Sequence, residues 1–202
     1  MKRKTLDMVL TAGGGMLVVV LVVAGSLLMW GATFVHNEVH TQLAEQQITF
    51  PTAAELAKAK PGTEITPTMR PYLLQYAGQP LVTGAQAEVY ADHFIAVHLS
   101  EMPYHGVYSK VSAASLANPT TTKLEALTQT VFRGTTLRGL LLEAYAFSKF
   151  GDIAFIASVV SFALAGVMLV LTVLGLVHLR RVTAEEQFPK VHREDVGIQR
   201  AA

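Results

Sequence analysis

MVLTAGGGMLVVVLVVAGSLLMWGATFV, residues 8–35, and IAFIASVVSFALAGVMLVLTVLGLVHL, residues 153–179, are free of Asp, Glu, Lys, Arg, Asn and Gln, and a polar segment of over 110 residues lies between them. An α-helix crosses about 30 Å of hydrocarbon in about 20 residues, and each stretch is longer than that. The fold class read from this layout is an all-α membrane protein, two transmembrane helices flanking a helical extracytoplasmic bundle. The segments are 1–7, a cytoplasmic N-terminus; 8–35, the first transmembrane helix; 36–152, the extracytoplasmic helical domain; 153–179, the second transmembrane helix; and 180–202, a cytoplasmic tail.

Orientation follows from the basic flanks. Lys2, Arg3 and Lys4 precede the first stretch, and Arg180 and Arg181 follow the second, so the positive-inside rule places both termini in the cytoplasm and the protein in the cytoplasmic membrane. Trp30 and Phe34 near the end of the first stretch, with Tyr145, Phe147 and Phe150 before the second, stand where an interfacial aromatic belt is expected. The first stretch is about twice the length of a signal-peptide apolar region, and its small residues Ala24, Gly25 and Ser26 fall inside it, so an uncleaved anchor is expected.

Composition excludes several classes. Between residues 36 and 152 there are 8 Lys and Arg against 10 Asp and Glu, a net of −2 with His neutral, which gives no electrostatic footprint for nucleic acid. With no cysteine in the chain there is no disulfide, no thiolate metal site and no Cys nucleophile, and the outer domain has to be held by packing alone. Pumps and proton relays need ionisable groups at membrane depth, which neither stretch supplies. The tail from Arg180 carries 5 basic and 4 acidic residues and little apolar content, and is expected to lack structure of its own.

Local signals punctuate the middle segment. The first helix is expected to continue through residues 37–47, which hold neither Gly nor Pro, until Pro51. Thr52 with Glu55 and Thr83 with Gln86 have capping-box spacing, predicting a short helix to about Lys60 and a longer one to about Glu101. Val89, Tyr90, Phe94 and Val97 give the longer helix a core-facing stripe. Pro103 and Gly106 break the chain before a helix over 108–117, which Asn118 and Pro119 stop. Thr122 with Glu125 opens a last helix that runs into the second stretch, with Gly134 or Gly151 as the place for a bend.

The candidate ligands are histidines. His36 and His40, at i and i+4, share a helix face and can ligate one metal, but Glu38 lies about 200° around the helix from His36, unlike the Glu of a zincin motif. His93 and His98, with Asp92 and Glu101, hold the inventory of a non-haem iron site, yet residues five apart diverge by about 140° on an α-helix. No metal, cofactor or catalytic residue is therefore assigned, and these histidines are expected to be core or interfacial side chains. Arg133 and Arg138 are expected to pair with Glu88, Asp92 or Glu143 rather than bind an anion. Ala157, Ser161 and Ala165 form a small-residue strip that lets another helix approach closely.

The wording of residues 76–99, YAGQPLVTGAQAEVYADHFIAVHL, and of residues 130–142, TVFRGTTLRGLLL, resembles a family of uncharacterised actinobacterial two-span membrane proteins. The resemblance implies the two-span layout and brings no established activity. Some members carry an automatic label of aromatic ring-opening dioxygenase, a chemistry that needs two His and a carboxylate converging on iron. The function expected is that of an accessory or scaffold protein of the membrane, acting by contact with a second copy or with another membrane protein. A membrane-tethered metal enzyme and a ligand-binding ectodomain with a pocket lined by Tyr90, Phe94 and Leu137 are the alternatives.

Overall fold

The computed structural model describes residues 3–187, with side chains from Thr5 to Arg181. Lys2 lies outside the described residues, as do the side chains of Arg3 and Lys4 and the tail beyond Gln187. Helix accounts for 82% of the described residues, which contain no strand. The elements are α1 (Arg3–Glu45), α2 (Ala53–Ala57), α3 (Arg70–Leu73), α4 (Gly84–Tyr90), a π-helical turn (Ala91–Ile95), α5 (Ala96–Glu101), α6 (Tyr108–Ala117) and α7 (Thr122–Gln187). Helix α1 continues past residue 35 as expected, and α7 carries the chain without interruption from Thr122 through the second apolar stretch. It also extends into the tail as far as Gln187.

The chain divides into two compact units. The first consists of Met1–Leu27 and Ala157–Ala202, and its described residues form an antiparallel helix pair. A Cβ built on Gly14 would stand 2.8 Å from Thr172 Oγ1, one on Gly25 3.0 Å from the Phe162 ring, and one on Gly175 2.8 Å from Thr11 Oγ1. Partners descend along α7 as positions rise along α1, which fixes the antiparallel sense. The covered positions of α1 step by four and three residues through Asp7, Thr11, Gly14, Val18, Leu21 and Gly25. Those of α7 step in the same way through Ser158, Ser161, Ala165, Met168, Thr172, Gly175 and Leu179. A 3.5-residue repeat of covered positions, with Gly, Ala, Ser and Thr at most of them, is the seam of two helices in close contact.

Both helices are long and apolar enough to cross a membrane, and their most apolar windows are only 6% and 11% buried. A core helix of a soluble protein would be covered. Two seam hydroxyls are satisfied within their own helices: Thr11 Oγ1 donates to the Asp7 carbonyl at 2.8 Å and Thr172 Oγ1 to the Met168 carbonyl at 2.7 Å. The Ser158 hydroxyl is buried and has no partner among the described residues.

The second unit, Leu28–Ile156, is built around the 84–101 segment. Every residue from Gln86 to Leu99 is buried or half-buried, so this segment is surrounded on all sides. Ala87, Ala91, Ile95 and Leu99 meet Leu43, Phe50, Leu56, Met69, Leu73, Leu81, Val111, Val131 and Leu141 in one apolar core. The Thr83 capping box starts α4, with the Gln86 amide donating to Thr83 Oγ1 and the Gln86 side chain accepting from the Thr83 and Val82 amides. The Thr52 box starts α2, which ends at Ala57, earlier than the expected Lys60. Two extended segments touch at the Thr49–Pro80 bridge, where the Phe50 amide donates to Gln79 and the Leu81 amide to Ile48.

After α5 the chain turns through three consecutive left-handed residues, Tyr104 (φ 59°), His105 (φ 55°) and Gly106 (φ 61°). Such a backbone is unfavourable for the two side-chain-bearing residues, by roughly 1–3 kcal/mol each. Gly106 closes the turn, because a Cβ there would run into the Leu99 carbonyl. The close approach seats the turn against the end of α5 and sets the start of α6.

Candidate functional site

The π-helical turn sits in the middle of the core segment and carries two of the candidate residues, Asp92 and His93. A π turn inserts one residue into an α-helix, so the stripe on either side of it is offset. Arg138 Nη2 of α7 donates to Asp92 Oδ1 at 2.6 Å, the pairing expected from the sequence, while the buried Arg138 Nε has no partner among the described residues. Side chains 39% and 37% exposed place this pair in the surface regime, about 0–1 kcal/mol. Arg133 is exposed.

The two core histidines go to different neighbours. His93 lies flat on Tyr72, centroids 3.5 Å apart and planes 2° from parallel. His98 Nδ1 donates to the Phe94 carbonyl at 2.8 Å, and its ring packs on Phe94 at 4.5 Å. Phe94 stacks on Tyr90, and Tyr90 meets the edge of the buried Phe50. The space around Tyr90 and Phe94 is thus filled by rings. Burial, with the Glu64 carboxylate adding to it, holds the Tyr90 phenol above its ordinary range and keeps it neutral. Among the described residues no three His, Asp or Glu side chains are grouped to hold a metal. His36 Nε2 instead meets Asp152 Oδ1 at 3.1 Å, with Lys149 on the other carboxylate oxygen at 3.3 Å, and His40 is exposed.

Of the small-residue strip, Ala165 is buried, at 4% exposure, and Ala157 and Ser161 are half-buried. Ser158, one residue over, is buried completely.

The feature that sequence reasoning missed is a groove of ≈ 440 Å³ between α1 and α7 within the second unit. Val35, Val39 and Leu43 of α1 and Leu137, Leu141 and Ala144 of α7 line it. Glu38, Gln42 and Gln46 edge it on α1, and Leu140, Glu143 and Phe147 on α7. Its signal is present in the chain: Val35, Val39, Leu43 and Glu38, Gln42, Gln46 are adjacent stripes at four-residue spacing. A second apolar surface joins α6 to α7, where Tyr108 and Phe132 are in ring contact at 5.6 Å and Leu116, on the same face of α6 as Tyr108, is 79% exposed.

Comparison with protein-family models, with curated proteins and with solved structures finds no match to this chain.

Proposed function

We propose that this chain is an integral protein of the cytoplasmic membrane, with both termini inside and residues 36–152 outside, that acts by protein contact and carries no catalysis of its own. The outward apolar faces of the helix pair support the membrane placement, and the basic flanks support the orientation. On this reading residues 36–152 are a helical bundle, in keeping with the resemblance to actinobacterial two-span proteins.

The observation that carries the contact reading is the exposed apolar surface of Tyr108, Leu116 and Phe132 on the outer domain. An exposed leucine about two turns along α6 from a pair of exposed aromatic rings has the composition of a binding surface, and it takes a second copy or another membrane protein. The chain has no cysteine, so single substitutions report without background. Leu116→Cys in intact cells should react with a membrane-impermeant maleimide, while Arg181→Cys should react only after lysis. The opposite pattern would overturn the orientation. Crosslinking Leu116→Cys in native membranes, followed by mild-detergent purification, should yield a dimer or a stable complex; a strictly monomeric protein with nothing attached overturns the contact reading.

A further inference from the structure

We infer that the groove between α1 and α7 takes one acyl chain of an outer-leaflet lipid whose headgroup carries a primary amine. The inference rests on the membrane placement proposed above. Three observations converge on this occupant.

The first is shape. The lining runs along α1 from Phe34 to Gln46, about 18 Å of helix, and within it Val35, Val39 and Leu43 with Leu137, Leu141 and Ala144 make one elongated apolar track of ≈ 440 Å³, the form of an extended hydrocarbon chain.

The second is where it begins. Phe34 and Val35, at one end, close the uncharged run of α1, next to the His36–Asp152 contact. From there Val35, Val39 and Leu43 continue the apolar surface outward for two turns, so a chain leaving the bilayer need not cross water to enter. The third is charge. The lining contains Glu38 and Glu143 and no Lys or Arg, and neither carboxylate has a cationic partner among the described residues. Glu38 accepts only from Gln42 Nε2, at 2.7 Å. Two unneutralised carboxylates repel an anionic headgroup and favour an ammonium that can donate hydrogen bonds.

The test uses the full chain in vesicles whose lipids carry bromine on the acyl chain, with tryptophan fluorescence as the readout. Trp30 is the only tryptophan and lies in the apolar run, so its quenching in the unsubstituted protein reports membrane insertion independently of the groove. A Trp30→Phe, Leu140→Trp protein moves the reporter to the groove edge. Brominated phosphatidylethanolamine should quench Trp at 140 more strongly than brominated phosphatidylcholine, and that more strongly than phosphatidylglycerol. Adding Glu38→Gln and Glu143→Gln should reduce the ethanolamine preference by about fivefold per carboxylate, from about 1 kcal/mol each. Adding Val39→Trp in place of the Leu140 reporter should obstruct the groove and exclude a spin-labelled ethanolamine lipid from it.

Quenching of Trp30 without quenching at 140 overturns the inference while leaving the membrane placement intact. Equal quenching by all three lipids, unchanged by the two glutamine substitutions, overturns the headgroup assignment. Crosslinking of a Gln42→Cys groove to a second copy, without quenching at 140, assigns the groove to protein and overturns it as well.

Discussion

The helix pair and the helical domain bury opposite kinds of residue. In the pair, Gly14, Gly25, Ser158 and Ala165 are covered while Val19, Val20, Leu164 and Val170 face out; in the domain, Phe50, Leu56, Met69 and Val131 are covered, and Glu38, Lys58 and Glu101 face out. One unit is held by close approach of backbones, the other by exclusion of large apolar side chains from water. The difference teaches that, under the membrane placement proposed above, a single chain is written for two solvents, and that the same substitution should carry different consequences on either side of residue 28 or 156.

The largest effect tests the water-facing logic. Phe50→Ala removes a fully buried ring from the centre of the domain and should cost about 3–5 kcal/mol, read as a drop in the thermal midpoint of the aromatic circular dichroism, whereas Val19→Ala on the outer face of the pair should leave the midpoint in place. Next comes a matched pair of leucines. Leu164→Asp, at a position 50% exposed near the middle of the second stretch, should reduce membrane insertion by about 3–4 kcal/mol, measured as the integrated fraction in an in vitro translocation assay. Leu116→Asp, at 79% exposure on the domain, should leave its stability within about 0.5 kcal/mol. Equal outcomes at the two leucines would erase the contrast.

Smaller still is the cap. Thr83→Ala frees the Gln86 amide and should destabilise the domain by about 1 kcal/mol in urea denaturation. The smallest effect is a proton. The Thr52 amide and then its hydroxyl hold the Glu55 carboxyl below its ordinary range. A depressed folded-state value contributes stability that is present above the unfolded-state value and is lost as pH falls through the folded one. Amide exchange over residues 53–57 should therefore quicken on acidification into that range, beyond its intrinsic pH dependence, and Glu55→Gln should abolish the change.

What could be read from the chain alone was local. The two capping boxes, the bounds of α6 and the uninterrupted course of α7 depend on residues within a turn of one another, and the two apolar stretches depend only on length and composition. The π turn was hidden because its neighbours, Tyr72 and Arg138, come from elsewhere in the chain, and an inserted residue leaves no compositional trace. At 103–106 the Pro and Gly announced a break, but nothing in Tyr104 or His105 announces a left-handed backbone; packing of Gly106 on Leu99 fixes it. The groove was half legible, as two stripes on α1, and its other wall is contributed from about a hundred residues away. The divergence of His93 and His98 was anticipated on α-helical geometry; Tyr72 and the Phe94 carbonyl, their actual neighbours, were not.

The seam of the helix pair also sets a schedule. Gly14 meets Thr172, a residue made about 160 positions later, and at about 5–20 residues per second the first helix waits roughly 8–30 s for the second. During that interval α1 must persist unaccompanied, its glycines facing nothing of their own chain. Thr11, Ser26 and Thr33 return their hydroxyls to carbonyls of their own helix, at Asp7, Val22 and Met29, so the apolar run of the newborn helix, residues 8–35, presents no hydroxyl in need of a partner. A chaperone or another helix that docked on the open glycine face in that window would have to leave before α7 could take its place, which makes the order of synthesis a determinant of which helix finally occupies it.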